Sequence, residues 1–124
     1  MKKRNTTGSP EILFGFARRA RILIPGRENM LRLRSHLQFV LITEDISANS
    51  RKEILRDFHH YPVVQRYSTE DLGSFFDITG VKVLGFRKSD LAQSLYATLK
   101  KYRINLPGSD EPLPANSETS PKNI

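Results

Sequence analysis

Apolar residues along this chain change their spacing several times, and each change marks an element. Ser9-Pro10-Glu11 offers a helix N-cap, a proline at the first helical position and an acid in the first turn. Ile12, Leu13, Phe16, Ala17 and Ala20 then follow at the spacing of one helical face. Arg21-Ile22-Leu23-Ile24 is a short strand-like run stopped by Pro25-Gly26, after which Met30, Leu33 and Leu37 return to helical spacing. Phe39-Val40-Leu41-Ile42 is continuous rather than alternating, as in a central strand covered on both faces. Ser50 with Glu53 forms a capping box ahead of Ile54, Leu55 and Phe58. A strand at Pro62-Val63-Val64 follows, then a helix opened by Ser68 and Asp71 and carrying Leu72, Phe75 and Phe76. Gly80 precedes a last strand over residues 81–86, and Ser89 caps a last helix with Leu91, Ala92, Leu95, Tyr96 and Leu99 on its apolar face. Short strands alternating with helices predict an α/β fold, a three-layer α/β/α sandwich with a small, mostly parallel or mixed sheet.

The chain of 124 residues has room for one domain. Residues 1–8 are polar and basic and predict a flexible arm, and residues 105–124, with four prolines among Ser, Asn and Glu, predict a disordered tail. The folded domain is expected over residues 9–104. No apolar run approaches the roughly 18 residues of a membrane span, and no apolar segment with a cleavage site follows the basic start, so neither a membrane segment nor a signal peptide is expected. With no cysteine, disulfide scaffolds, thiolate metal sites and cysteine nucleophiles are excluded, and a cytoplasmic location and a monomer are expected.

Charge changes the picture more. The net charge of +7 falls entirely within residues 1–40, which hold nine basic and two acidic residues, whereas residues 41–124 are balanced. A concentrated, arginine-rich field suits a polyanion, with a merely solubilising surface as the alternative. Phosphate-cradling glycine loops, dinucleotide fingerprints and nucleophile elbows are absent, so no enzyme activity and no cofactor are expected. His36, His59 and His60 lack a third ligand at metal-site spacing and are expected to be structural or surface residues, with no metal site. Glu44-Asp45 follows the central strand, where ligands collect in α/β sheets. A receiver-type phosphoacceptor site needs a second acidic strand end, and here Gln65-Arg66-Tyr67 stands in its place, so this pair is expected to contact the third helix or nearby arginines.

The helix after Gly26 carries the more specific constellation. At about 100° per residue, Met30, Leu33 and Leu37 face a core, Glu28, Asn29 and Arg32 share a solvent face, and Arg27 and Arg34 lie on the other flank. A helix start supplies unpaired N–H groups suited to phosphate, and Asn, Glu and Arg suit base edges. The plain alternative is an ion pair between Glu28 and Arg32, four residues apart, worth about 0.2–0.5 kcal/mol.

Residues 14–21 (FGFARRAR), Pro25-Gly26-Arg27-Glu28-Asn29, and residues 39–52 (FVLITEDISANSRK), in that order and spacing, resemble the kink-turn RNA-binding ribosomal-protein family, and within it the small bacterial YlxQ-like members. The resemblance covers about residues 9–102 and includes Leu72-Gly73 after the capped residues 68–71. It implies an α/β/α sandwich that binds sharply bent RNA containing sheared G·A pairs, with ribosomal RNA as the natural partner. The family's helix-two motif is Gly-x-Asn-Glu-x-x-Lys. Gly26 matches its glycine and Arg32 keeps the charge of its lysine, while Glu28 and Asn29 stand where the family has Asn and Glu. A second family contact, the loop before the last strand, is here Asp77-Ile78-Thr79-Gly80, with Asp77 in place of a usual glycine. The resemblance therefore assigns RNA contact to Gly26, Arg27, Glu28, Asn29, Arg32, Arg34, Ile78 and Thr79. The rival reading is a protein-interaction module that kept the fold and lost RNA specificity, for which Glu28 and Asp77 speak.

Overall fold

In a computed structural model that describes residues 10–105, the described residues form four strands and five α-helices. In order these are α1 (Pro10–Ala20), β1 (Leu23–Pro25), α2 (Arg27–Arg32), β2 (Leu37–Ile42), α3 (Ala48–Asp57), β3 (Val63–Gln65), α4 (Thr69–Phe76), β4 (Val83–Arg87) and α5 (Asp90–Leu99). Single 3-10 turns follow α2 at Arg34–His36 and α5 at Lys100–Tyr102. The arm predicted for residues 1–8 and the tail beyond Asn105 lie outside the described residues.

The sheet has the order β1-β4-β2-β3, with β4 antiparallel to both neighbours and β2 parallel to β3. It is mixed, as expected. Phe39 and Leu41 of β2 face one core, with Phe14, Leu72, Phe76, Phe86, Leu95 and Leu99 from α1, α4, β4 and α5. Val40 and Ile42 face the other, with Met30, Ile54 and Phe58 from α2 and α3. That division makes the three-layer sandwich and explains the unbroken apolar run of β2, every residue of which from Phe39 to Ile42 is fully buried.

Several local expectations are corrected. The buried face of α1 is Phe14 and Ala17, and Ile12 and Phe16 point outward, about half exposed. The capping residue of α3 is Ser47, whose hydroxyl accepts from the Ser50 amide at 3.1 Å, so Ser50 is inside the helix. α2 ends at Arg32, and Leu37 is no helix residue but the first of β2. A bulge between Leu37 and Phe39 turns Leu37 onto the α2/α3 side, satisfying by a different element the burial that its spacing predicted. β4 begins at Val83, because its ladder partners Pro25 and Ile42 end at Leu84 and Val83. Asn105, assigned by composition to the tail, accepts from the Val63 amide and donates to the Tyr61 carbonyl, fastening the end of the described chain to β3.

Strand directions define two ends of the sheet. β1, β2 and β3 finish, and β4 starts, at the end that carries Gly26. β1 and β2 start, and β4 finishes, at the end that carries Arg21 and Arg87. Across the six residues of β2 the two ends are about 20 Å apart.

Candidate nucleic-acid interface

The Gly26 turn is built by its backbone. Gly26 is the N-cap of α2 with φ 91° and ψ 144°, a conformation in which an L side chain is strained. Its N–H donates to the Val83 carbonyl at 3.0 Å and its carbonyl accepts from Met30 N at 3.1 Å, so one residue joins the mouth of β4 to the first turn of α2. Pro25 ends edge strand β1, where its missing N–H costs no ladder bond. Underneath, Met30 is fully buried against Gly85 of β4, where an added Cβ would lie 2.6 Å from Leu37 Cδ2 and 3.0 Å from Met30 Cγ. Gly85 thus admits α2 close to the sheet. The sequence marks it only as a glycine inside an apolar run.

The polar side chains of α2 are mostly committed. Asn29 Nδ2 donates to the Pro25 carbonyl at 2.9 Å, folding the amide over the turn, and Asn29 Oδ1 accepts from Arg32 at 3.0 Å. The Glu28–Arg32 pair weighed from spacing is therefore not formed: Arg32 bonds Asn29, and Glu28 is exposed with no hydrogen bond or ion pair among the described residues. Arg27, expected to meet phosphate, is bonded within the domain. Its Nε and one terminal nitrogen donate to the same Asp57 oxygen at 2.9 and 2.7 Å, and its other terminal nitrogen lies 3.4 Å from Glu53. The guanidinium holds the Asp57 carboxyl below the usual range, and the hydrogen bond to Asp57 raises Arg27 in turn. Arg27 is a clasp between α2 and α3. Arg34 is also corrected: it lies beyond α2 in the 3-10 turn that leads into the start of β2, at the other end of the sheet from Gly26.

The loop before β4 reaches the Gly26 end through the Gly26–Val83 hydrogen bond and through Thr43 N donating to the Lys82 carbonyl. Asp77 terminates α4 in the left-handed conformation, φ 58° and ψ 47°, where glycine is the unstrained choice. Ile78 is half-buried and packs on the α1/α4/α5 core, while Thr79 is exposed. Gly73 lets the loop close over α4, since a Cβ there would lie 2.7 Å from the Ile78 carbonyl oxygen.

Four residues at this end were not among the sequence's site candidates. Arg51 donates to Gln65, whose amide donates to the Thr43 carbonyl. Arg66 stacks over Tyr102 and Tyr67, its charge 4.7 and 5.2 Å from their ring centres, and lies 3.8 Å from Glu44. Lys82 Nζ donates to the Thr69 hydroxyl at 2.8 Å. Gln65 and Arg66 lie at the C-terminal end of a strand, which was a usable signal. Asp45 binds the start of α4 rather than α3, accepting from the Thr69 hydroxyl at 2.9 Å and the Thr69 amide. Its carboxyl is lowered to about 2 by the Thr43 hydroxyl first, then by Thr69 and Lys82. The Thr43 hydroxyl is buried and, among the described residues, has no partner at hydrogen-bond geometry. Tyr67 donates to Glu11 at 2.9 Å, and burial together with that carboxylate pushes its hydroxyl up.

The fold has solved counterparts. A protein of unknown function from Bacillus halodurans C superposes with a TM-score of 0.68 at 22% identity, covering 75% of this chain and 98% of that one. The Giardia lamblia 15.5kD RNA binding protein superposes with a TM-score of 0.59 at 17% identity, covering 82% of this chain and 90% of that one. The fold is shared with both. No family model and no curated protein matches the sequence. Among the described residues no helix is long and apolar enough to cross a membrane.

Proposed function

We propose that this chain is a non-enzymatic, cytoplasmic RNA-binding protein that recognises sharply bent structured RNA of the kink-turn kind, as a monomer and in association with ribosomal RNA. The observation that supports this reading is a contact between segments 57 residues apart: the Gly26 N–H donates to the Val83 carbonyl, so the start of α2 meets the start of β4, into which the loop with Ile78 and Thr79 leads. These are the two segments that the family resemblance singles out, and an RNA-binding protein shares the fold. In this reading the Gly26 backbone approaches the RNA strand, Arg32 meets phosphate, Asn29 and Glu28 meet base edges, and Ile78 and Thr79 pack on an extruded base.

A protein-interaction module is favoured by one observation: Arg27 and Arg32 are both bonded within the domain, while the acids Glu28 and Asp77 are exposed. Titration against a kink-turn RNA and an unbent duplex of equal length, at two salt concentrations, separates the readings. Tighter binding to the kinked RNA that weakens as salt rises supports RNA recognition. Equal or absent binding leaves the interaction module.

A further inference from the structure

The excess charge of residues 1–40 does not gather where α2 begins. Within the described residues it collects at the opposite end of the sheet. Arg21 N donates to the Arg18 carbonyl, Arg87 N to the Ile22 carbonyl at 2.8 Å, and Lys88 N to the His36 carbonyl at 2.8 Å. These bonds tie the end of α1, the end of β4 and the 3-10 turn with Arg34 into one surface. Arg18, Arg21, Arg34, His36 and Lys88 are exposed there and Arg87 is half-exposed. None of the five cations forms an ion pair or side-chain hydrogen bond among the described residues, and the acid nearest in sequence is Asp90, two residues past Lys88.

Helix ends account for part of this. A C-terminus favours cations, which suffices for Arg18 in the last turn of α1. It does not account for Arg87 or Lys88, which stand at the end of a strand. Arg21 is the most telling. The bonds Arg21 N to Arg18 O and Ile22 N to Ala17 O close α1 as a Schellman motif, and Arg21 occupies its left-handed position at φ 59°. Glycine is the unstrained residue there, and the exposed Arg21 side chain makes no hydrogen bond or ion pair among the described residues.

From this we propose that the end of the sheet carrying Arg21, Arg34, Arg87 and Lys88 is a second RNA surface, taking the phosphate backbone of a duplex segment that flanks the bend. The protein then grips RNA at both ends of its sheet. A cluster dominated by arginine and without ion pairs among the described residues suits phosphate. This rests on the reading that the Gly26 end binds bent RNA.

The test compares a kink-turn RNA with short stems and the same RNA with one stem long enough to reach the far end. The variant Arg21→Gly/Arg87→Gln/Lys88→Gln is expected to bind the long-stem RNA about tenfold more weakly, with a shallower salt dependence, and the short-stem RNA as wild type does. Arg21→Gly alone guards against a folding artefact: it should raise the melting temperature while still weakening the long-stem complex. Equal binding of the long-stem RNA by wild type and triple variant overturns the second surface and leaves the function reading intact. If wild type binds neither RNA, both fall. Loss of binding to anionic phospholipid vesicles, with long-stem RNA binding unchanged, overturns it in favour of a membrane surface.

Discussion

At the Gly26 end, cations are bonded within the fold, two to carboxylates and two to neutral groups: Arg27 to Asp57, Arg66 to Glu44, Arg32 to Asn29, Lys82 to Thr69. At the Arg21 end, cations from α1, β4 and the turn before β2 stand side by side with no acid bonded to them among the described residues. The first arrangement fixes a shape and lets a few groups, such as Glu28 and Thr79, face outward. The second fixes almost nothing and supplies a field. The fixed shape and the open field thus lie about the length of a strand apart in this fold. The run of arginines in the sequence hides that separation, because a strand and a helix lie between Arg21 and Arg34.

The largest expected effect comes from Gly85, which seats α2. Gly85→Ala drives a methyl group into Leu37 and Met30 and should cost about 1–3 kcal/mol in denaturant unfolding. It should also weaken binding at the Gly26 end. Wild-type stability in this variant would mean that α2 sits further from the sheet.

Next come two arginines close in sequence and far apart in the fold. Arg32→Ala should lower kink-turn affinity by about 1–2 kcal/mol with little change in melting temperature. Arg34→Ala, at the other end, should leave a short-stem kink-turn complex unchanged. Equal losses for the two in a short-stem titration would erase the distinction between the ends.

The positive-φ positions give a pair of opposite sign. Gly26→Ala should destabilise by about 1 kcal/mol, through conformation rather than crowding, since the nearest atom to its added Cβ is 4.0 Å away. Asp77→Gly should stabilise by about 0.5–1 kcal/mol by relieving a left-handed residue. Thermal unfolding of both variants checks the contrast.

Glu28→Asn removes an exposed acid and adds a donor, so affinity for a standard kink-turn should rise severalfold at fixed salt. Weaker binding instead would mean that Glu28 itself reads a base, and that the natural RNA differs from the family's.

Smallest is an acid effect at Asp45. Because the folded protein lowers this carboxyl from 3.8 to about 2, its contribution is complete above pH 3.8 and is lost as pH falls through about 2. Asp45→Asn should flatten that part of the stability profile, while the contact of Lys82 with Thr69 persists.

The sequence by itself determined the elements and their layering. Ser68 and Ser89 cap α4 and α5 as read, each hydroxyl accepting from the third amide of its helix, because a cap is chosen by residues three apart. β2 announced its burial because a strand covered on both faces must be apolar at every position. Among candidate site residues, Gly26 was legible for a similar reason, since a strand-to-helix turn needs backbone freedom at one position. Leu37 shows the limit. Its burial was readable, but helix and strand both explain an apolar residue four places after Leu33, and only pairing with Arg87 decided for the strand. The partners of the charged residues lay further out of reach. Arg27 meets Asp57 thirty residues away, and Arg21 stands beside Arg87 because β4 crosses between β1 and β2. Local chemistry fixes where helices and strands begin. Which charges are neutralised and which are left to face a partner depends on strand order, and that is settled by packing across the whole sheet.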